Sequence, residues 1–499
     1  MSDRIAGRMF FWRTAFLGID GRSRFVQNGA MAMGKNGEEQ KGLFVSFKDL
    51  PRSTGHPFYE ALDVQLRSRG FDRHVESLCA KFYAPTLGRP GLAPGVYFRA
   101  LLVGYFEGIG SERGIAWRLA DSLSLRSFLR LATGKEPPDH STISRTRRLI
   151  DVDTHQAVFS WVLAVLSKAG LVKGKTIGVD ATTLEANAAM RSIVRRDDGR
   201  SYNAFLEDLA QASGIATPTR EDLARIDRKR KKKGSNEDWK SPHDPDAQIM
   251  KMKDGRTHLA HKQEHAVDMD TGAVVAVTVA GGAEGDTSTI EGTLEAATSN
   301  LAEAKKKAGD DSGQAETPEE AVADKGYHSK AVLLALRLSG WRTYISEPDR
   351  GRQHWVGEED ARDAVYANRR RKGGCRGQAL MRRRGEILER TFAHTLDTGG
   401  LRRSHVRGHL NVAKRALVQV AAFNLGLLMR KLFNVGKPRV LQGSAVAMTA
   451  AILASLRRLV AIVAHLSRDI ASRTAPGQSP AASVRGTLAR PALAFTTGC

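Results

Sequence analysis

Two short apolar runs in this chain each end abruptly in an aspartate, and this repeated pattern constrains the fold more than any other feature. Ile177 and Val179 precede Asp180, and the run 321–323 precedes Asp324. A short apolar run bounded by turn residues is typical of a buried strand, and α/β sheets hold chemistry at the carboxyl ends of such strands. We therefore expect two carboxylates at the mouths of two strands of one sheet.

The elements around these strands predict the rest of the sheet. Strands at 260–269 and 273–280 flank a hairpin turn signal, Asp270-Thr271-Gly272. A helix beginning near Asp286 follows, and another strand covers 342–346. Strands interleaved with helices predict a mixed α/β sheet, and three antiparallel strands followed by parallel additions are the order of an RNase H-like fold.

Changes in composition divide the chain into four parts. Residues 1–42 are predicted to be a poorly ordered extension, and 43–172 a helical domain. Residues 173–435 form the α/β domain, which a polar and basic insertion at about 185–256 interrupts. Residues 436–499 are expected to be helical and then disordered. Translation is expected to start at Met31 or Met33, which makes the first 30 residues an upstream extension.

The charge of the chain points to a polyanionic partner. Lys and Arg number 77 against 54 Asp and Glu, which gives a net charge of +23 and a pI of about 10.1. This excess is larger than solubility needs, and its clustering favours nucleic acid over an anionic membrane surface. Arg457 and Arg458 interrupt the apolar stretch 440–466, so we expect a packed helix there and no membrane span.

Cysteine usage fits a reducing compartment. The three cysteines, Cys79, Cys375 and Cys499, are far apart and odd in number. This pattern argues against a disulfide framework and against a cysteine zinc site, so a cytoplasmic location is expected.

Carboxylates on a basic scaffold are suited to phosphoryl transfer. Two-metal catalysis needs a few carboxylates around two Mg²⁺ ions, and such hard cations prefer oxygen ligands. Asp180, Asp324 and Glu389, on a late helix, could supply this set. A single strand-end aspartate is more often a simple cap, but the ordered set of three favours a metal site.

Several separated motifs resemble DDE-type bacterial insertion-sequence transposases of the superfamily that spans the IS-four and IS-five groups. Val-Asp-Ala-Thr-Thr-Leu-Glu-Ala (179–186) resembles the first-aspartate motif, and Ala-Asp-Lys-Gly-Tyr-His-Ser (323–329) the second. Leu-Glu-Arg-Thr-Phe-Ala-His (388–394) resembles the glutamate motif, and segments 97–118 and 138–145 resemble the N-terminal helical domain of that family. The resemblance covers roughly 43–435.

The resemblance implies a DNA-binding helical domain, an RNase H-like catalytic domain and a metal triad of Asp180, Asp324 and Glu389. Asp286 matches an additional acidic position. The implied cofactor is Mg²⁺ at a two-metal site, for which Mn²⁺ can substitute. The implied partners are double-stranded terminal inverted repeats and target DNA, bound by a homodimer in the cytoplasm at the nucleoid. Two alternatives stay open: an inactive or domesticated DNA-binding protein, and a metal-dependent nuclease without strand transfer.

The glutamate of the triad is the weakest match. Relatives carry Tyr seven and Arg four residues before the Glu and Lys seven after it, whereas Glu389 has Arg382, Gly385 and Leu396 at those positions. Glu386 has Arg382 four residues before it and lies one helical turn from Glu389. The motif context favours Glu389, and Glu386 remains the alternative.

Basic clusters are the candidate DNA contacts, although solvated surface is the alternative interpretation for each. A helix following Asp139 resembles an end-recognition element only moderately, and a structural helix is an equal alternative. The candidates are Arg145, Arg147, Arg148, Arg228, Lys229, Arg230, Lys231, Lys232, Lys233, Lys262, Arg369, Arg370 and Arg371. His258, His261 and His265 suggest zinc, but an alternating strand would splay their rings, so no zinc site is expected.

Overall fold

The computed structural model describes residues 55–84, 91–132, 135–230, 234–252, 254–309, 317–351 and 353–442. The predicted extension 1–42, Met31, Met33, the basic run Lys231–Lys233 and the segment 443–499 lie outside these residues. In the part of the chain that the structure describes, seven α-helices precede the sheet: α1 Pro57–Ser68, α2 Phe71–Cys79, α3 Pro94–Glu107, α4 Glu112–Ala120, α5 Leu123–Phe128, α6 His140–Leu149 and α7 Val152–Lys168.

Polar caps fix where several of these helices begin. Asp139 accepts a hydrogen bond from the Ser141 amide at the start of α6. Asp151 does the same for the Thr154 amide at the start of α7. The last two helices of this region therefore start at aspartates that satisfy free backbone donors.

The predicted mixed α/β class is confirmed by a six-stranded sheet. Its strands are β1 Thr176–Glu185, β4 Gln248–Lys251, β5 Thr257–Asp268, β6 Val274–Gly281, β7 Glu320–Ala323 and β8 Arg342–Ile345; two short strands, β2 Val194–Arg195 and β3 Trp239–Lys240, pair apart from it. The order β6-β5-β1-β7-β8 joins an antiparallel half to a parallel half, because β5 is antiparallel to β1 and β6 while β7 is parallel to β1 and β8.

The remaining helices are α8 Tyr202–Ala212, α9 Arg220–Lys229, α10 Asp286–Ala308, α11 Lys330–Leu338, α12 Glu359–Gly373, α13 Cys375–Phe392 and α14 His409–Phe433. Helix α14 packs on α3, α7 and β6, so the N-terminal helices and the sheet share one apolar core. A segment from His409 to Leu441, which contains α14, is apolar and long enough to cross a bilayer, but most of its apolar window is buried inside the protein.

The backbone of each outer strand is completed by a buried asparagine. Asn424 on α14 accepts from the Val274 amide at 3.0 Å and donates to its carbonyl at 2.8 Å. Asn368 on α12 makes the same pair with Ile345 of β8, at 2.9 and 2.8 Å. Because β6 and β8 lie at opposite sides of the sheet, these amides satisfy backbone groups that would otherwise lack partners.

The predicted insertion at 185–256 is more structured than its polar composition suggests. Trp239 is buried against Tyr202 and Phe205 of α8, and it anchors a small separate core. The strand β4 lies within the predicted insertion and pairs with β5 of the main sheet. A four-residue strand of mixed polarity has no clear period of its own, so the sequence did not predict it.

Candidate functional site

The prediction that Asp180 ends its strand was wrong, because the residues after it still pair with β5 and β1 continues to Glu185. Asp180 lies midway along β1, and its side chain is about one-quarter exposed. Its Oδ1 accepts from the Ala181 amide at 2.8 Å, and its Oδ2 accepts from Nη1 of Arg384 at 3.0 Å. Burial raises the pKa of this carboxyl, the Arg384 charge opposes the rise, and the negative charge of Asp324 adds to it. Asp180 is therefore a half-buried carboxylate whose second oxygen contacts the positively charged guanidinium of Arg384.

Asp324 directly follows β7, and its Oδ1 accepts from the Gly326 amide at 2.8 Å. Gly178 of β1 pairs with Val322 of β7 in parallel register. Each aspartate follows its paired residue by two positions, so Asp180 and Asp324 reach the same level of two adjacent strands, whose backbones lie about 5 Å apart. The electrostatic influence of Asp324 on Asp180 agrees with this placement.

Asp286 joins this edge of the sheet from the first residue of α10. A Cβ placed on Gly326 would lie 2.5 Å from Asp286 Oδ2 and 3.1 Å from Asp324 Oδ1, so both carboxylates close on the same glycine. The Lys262 ammonium lies 2.7 Å from Asp286 Oδ1. Lys262 is only 4% exposed, so in this structure its charge is directed at the carboxylates rather than at the surface.

Glu264 is a buried carboxylate beneath this site that sequence reasoning did not assign to it. Its Oε1 accepts from the Tyr327 hydroxyl and the Thr289 hydroxyl, each at 2.8 Å, and lies 3.5 Å from the Lys262 ammonium. Burial and the Glu264 charge raise the pKa of the Tyr327 phenol well above its ordinary value. The signal in the sequence was a charged residue in the middle of a strand that also carries Lys262, because such residues are buried only with partners.

Helix α13 presents an arginine to Asp180. Leu388 packs close to Gly178, and Arg384 lies one turn earlier on the same face. Glu389 is exposed, about 140° around the helix from Arg384 at 100° per residue. Glu386 is also exposed and pairs with Arg390. The structure therefore brings Asp180 and Asp324 together and leaves both candidate glutamates on the outer side of α13.

The donor set at this edge fits a hard divalent cation in part. Two carboxylates on adjacent strands offer the oxygen ligands that Mg²⁺ prefers. Within the described residues, however, no group of three His, Cys, Asp or Glu side chains is close enough to hold a metal ion. Asp180 and Asp324 offer oxygen ligands at this edge, and the third carboxylate near them, that of Asp286, is already paired with the Lys262 ammonium.

The three histidines of the zinc hypothesis have separate partners. His258 contacts Asp254 at 2.8 Å, and His261 contacts the buried Asp244 at 3.1 Å. The pKa of His265 is lowered to about 3 by burial, and its ring stacks on a phenylalanine of α13. Each of the three rings is therefore directed at a different partner.

In two basic clusters, some members are paired inside the protein and others are exposed. Arg147 bonds Glu112 at 2.7 Å, whereas Arg145 and Arg148 are exposed on α6. In the cluster on α12, Arg369 bonds Glu347 and Arg371 bonds Thr343, while Arg370 is exposed.

The basic residues at the end of α9 show a similar division. Arg228 and Lys229 are exposed in its last turn, and Arg230 lies over the rings of Tyr202 and Phe205. The exposed members of these clusters are the ones free to meet a phosphate backbone.

Comparison with known proteins gives one family match. Residues 54–149, which contain α1 to α6, match a family model described as "Transposase domain (DUF772)". No curated protein matches the chain. The match supports a transposase family for this chain and implies DNA as its partner.

Proposed function

We propose that this chain is a DDE-type transposase, which binds the ends of its insertion sequence, cleaves DNA there and joins the freed ends to target DNA. The observation that carries this proposal is the juxtaposition of Asp180 and Asp324 on adjacent parallel strands. The transposase-domain match at 54–149 supports DNA as the substrate of that pair.

The sheet supports an RNase H-like catalytic domain. Three antiparallel strands, β6, β5 and β1, are followed by the parallel strands β7 and β8, and the late helix α13 packs against β1 and β7. The two aspartates lie where the antiparallel and parallel halves of the sheet meet. The helices that precede β1 form the proposed DNA-binding region, and their exposed candidates are Arg145 and Arg148 on α6.

The proposed chemistry is in-line displacement at phosphorus. Water attacks a phosphodiester at the element end, and the 3′-oxygen leaves and takes up a proton. The freed 3′-hydroxyl then attacks a phosphodiester of the target DNA, and the 3′-oxygen of that target bond leaves in turn. Asp180 and Asp324 would hold Mg²⁺, or Mn²⁺ in its place, with Glu389 as the proposed third ligand and Glu386 as its alternative. When bound, the cations supply charge stabilisation and activation of the attacking oxygen. Because two ends must be joined, the working assembly on DNA is proposed to be a homodimer.

Lys262 and Glu264 have a supporting role in this proposal. The Lys262 ammonium holds Asp286 against the Gly326 turn, and Glu264 holds both Lys262 and the Tyr327 hydroxyl. These contacts keep the loop that carries Asp324 in one place. Asp286 then acts as a buttress of the site, since its charge is already partnered.

A DNA-binding protein without cleavage activity is the second candidate. The observation that favours it is the position of Arg384, an arginine where a third carboxylate would be needed beside Asp180. A nuclease that cuts without joining differs only in the absence of a strand-transfer product, so the same assay separates all three.

The test is cleavage of a duplex that carries the repeats flanking the gene, in Mg²⁺, with target DNA present. The wild type is expected to nick the ends and form joined products, and Asp180→Asn or Asp324→Asn should lose at least about a hundredfold in rate, since metal-held charge is worth several kcal/mol in the transition state. Asp363→Asn, an exposed residue of α12, is the matched control. Wild-type rates in either site variant would overturn the assignment.

A further inference from the structure

The two oxygens of Asp180 have different partners. Oδ1 accepts from the Ala181 amide at 2.8 Å, which fixes it to the backbone of its own strand. Oδ2 is the oxygen left for a cation, and Nη1 of Arg384 lies 3.0 Å from it. The guanidinium therefore contacts the oxygen that a divalent ion would use.

The surroundings of Arg384 indicate that this contact is the main one its guanidinium makes. Its side chain is 16% exposed, and its Nε is buried without a hydrogen-bond partner among the described residues. The neighbouring Arg383 differs, because it contacts Asp270 through both the carbonyl and the carboxylate and is half exposed. Arg384 is thus held at Asp180 by charge, with one donor left unused.

The same helix carries the glutamates that would complete the site. With Leu388 packed near Gly178, α13 directs Arg384 inward and leaves Glu386 and Glu389 exposed. A positive guanidinium beside Asp180 repels a divalent cation, and a carboxylate entering the site would have to take its place.

We propose that Arg384 is a built-in counter-ion that competes with the divalent cation for Asp180, so that metal loading requires the guanidinium to leave. This inference rests on the proposed function, because it assumes that Asp180 is a metal ligand. It makes the DNA-free protein a weak metal binder. The released guanidinium, with its free Nε, would be available to a DNA phosphate at the same place.

The test is titration of the DNA-free, full-length protein with Mn²⁺, followed by calorimetry. Arg384→Gln is expected to bind Mn²⁺ about tenfold or more tightly than the wild type, since a like charge next to the ion is removed. Arg383→Gln removes the same charge from the neighbouring position and should stay within about threefold of the wild type, because surface charges are screened. Unchanged or weaker affinity in Arg384→Gln would overturn the inference.

Two further variants keep the outcome clear. If loss of the charge unfolds α13, Arg384→Lys retains a cation and should keep the weak wild-type affinity, whereas tenfold tighter binding by this variant would contradict the competition. Asp180→Asn reports on the proposed function. If Asp180→Asn binds Mn²⁺ as tightly as the wild type, Asp180 is not a metal ligand and the proposed metal site is overturned. If Asp180→Asn binds Mn²⁺ more weakly but Arg384→Gln does not bind it more tightly, only the proposed role of Arg384 is overturned.

Discussion

At Gly326, the addition of a single methyl group would disturb the carboxylates of the site. An alanine there would place its Cβ 2.5 Å from Asp286 Oδ2 and 3.1 Å from Asp324 Oδ1, and ordinary contacts begin near 3.4 Å. Asp286 must then move by almost 1 Å, although the Lys262 ammonium holds its other oxygen at 2.7 Å. The glycine does not have the positive φ that an alanine would strain, so the cost is steric.

The expected cost of Gly326→Ala follows from these contacts. Overpacking of this kind costs about 1–3 kcal/mol, and the lower entropy of the unfolded chain returns about 0.4–1 kcal/mol. We expect the free energy of unfolding to fall by about 1–2 kcal/mol in urea titrations of the full chain. The displaced carboxylates should also weaken Mn²⁺ binding about fivefold, which corresponds to roughly 1 kcal/mol.

Gly292→Ala is the matched control for this experiment. Gly292 lies inside α10, the helix that begins with Asp286, and a Cβ there meets nothing within 4 Å. Alanine in a helix interior should raise the free energy of unfolding by up to about 1 kcal/mol and leave Mn²⁺ binding unchanged. The reasoning is refuted if Gly326→Ala behaves like Gly292→Ala in both measurements.

Three further predictions concern stability and DNA binding. Burial lowers the pKa of His155 to about 4, so this residue should contribute roughly 3 kcal/mol to the fall in folding stability between about pH 6.5 and 4. The buried His265 and the half-buried His394 add to the same fall, so urea titrations of His155→Gln should show a shallower slope, and an unchanged slope would contradict the role of His155. Asn424→Ala leaves both backbone groups of Val274 unpaired and should cost roughly 2–5 kcal/mol by the same method, so a loss below about 1 kcal/mol would count against the pairing. Arg148→Gln should reduce the slope of log DNA affinity against log salt concentration by about one and leave the free energy of unfolding unchanged. Arg147→Gln, which loses the bond to Glu112, should mainly lower the free energy of unfolding. The reverse pattern would show that the wrong residue was assigned to DNA.

Much of the fold was predictable because its signals are local. The turn before Ala273 predicted the hairpin, and the apolar residues before Asp180 and Asp324 predicted the strands β1 and β7, although β1 runs on to Glu185. The strand β4 was missed because four residues of mixed polarity carry no period of their own.

The site was predictable only as far as the pairing of the two strands that carry the aspartates determines it. Parallel strands bring Asp180 and Asp324 together whatever their neighbours are. The orientation of α13 depends on tertiary packing, and the packing of Leu388 directs Arg384, not Glu389, toward the sheet. A helical wheel centred on the apolar residues of α13 would have shown this, since Arg384 and Leu388 share one face.

Replacing each aspartate by cysteine in the end-cleavage assay tests the central claim, that Asp180 and Asp324 contact a catalytic cation, most directly. A thiolate binds Mg²⁺ poorly and accepts softer cations more readily. Asp180→Cys and Asp324→Cys are therefore predicted to be inert in Mg²⁺ and to regain measurable cleavage in Mn²⁺, while Asp363→Cys cleaves like the wild type in both. Equal rates in the two metals for the site variants, whether fast or absent, would contradict direct contact between these side chains and the metal.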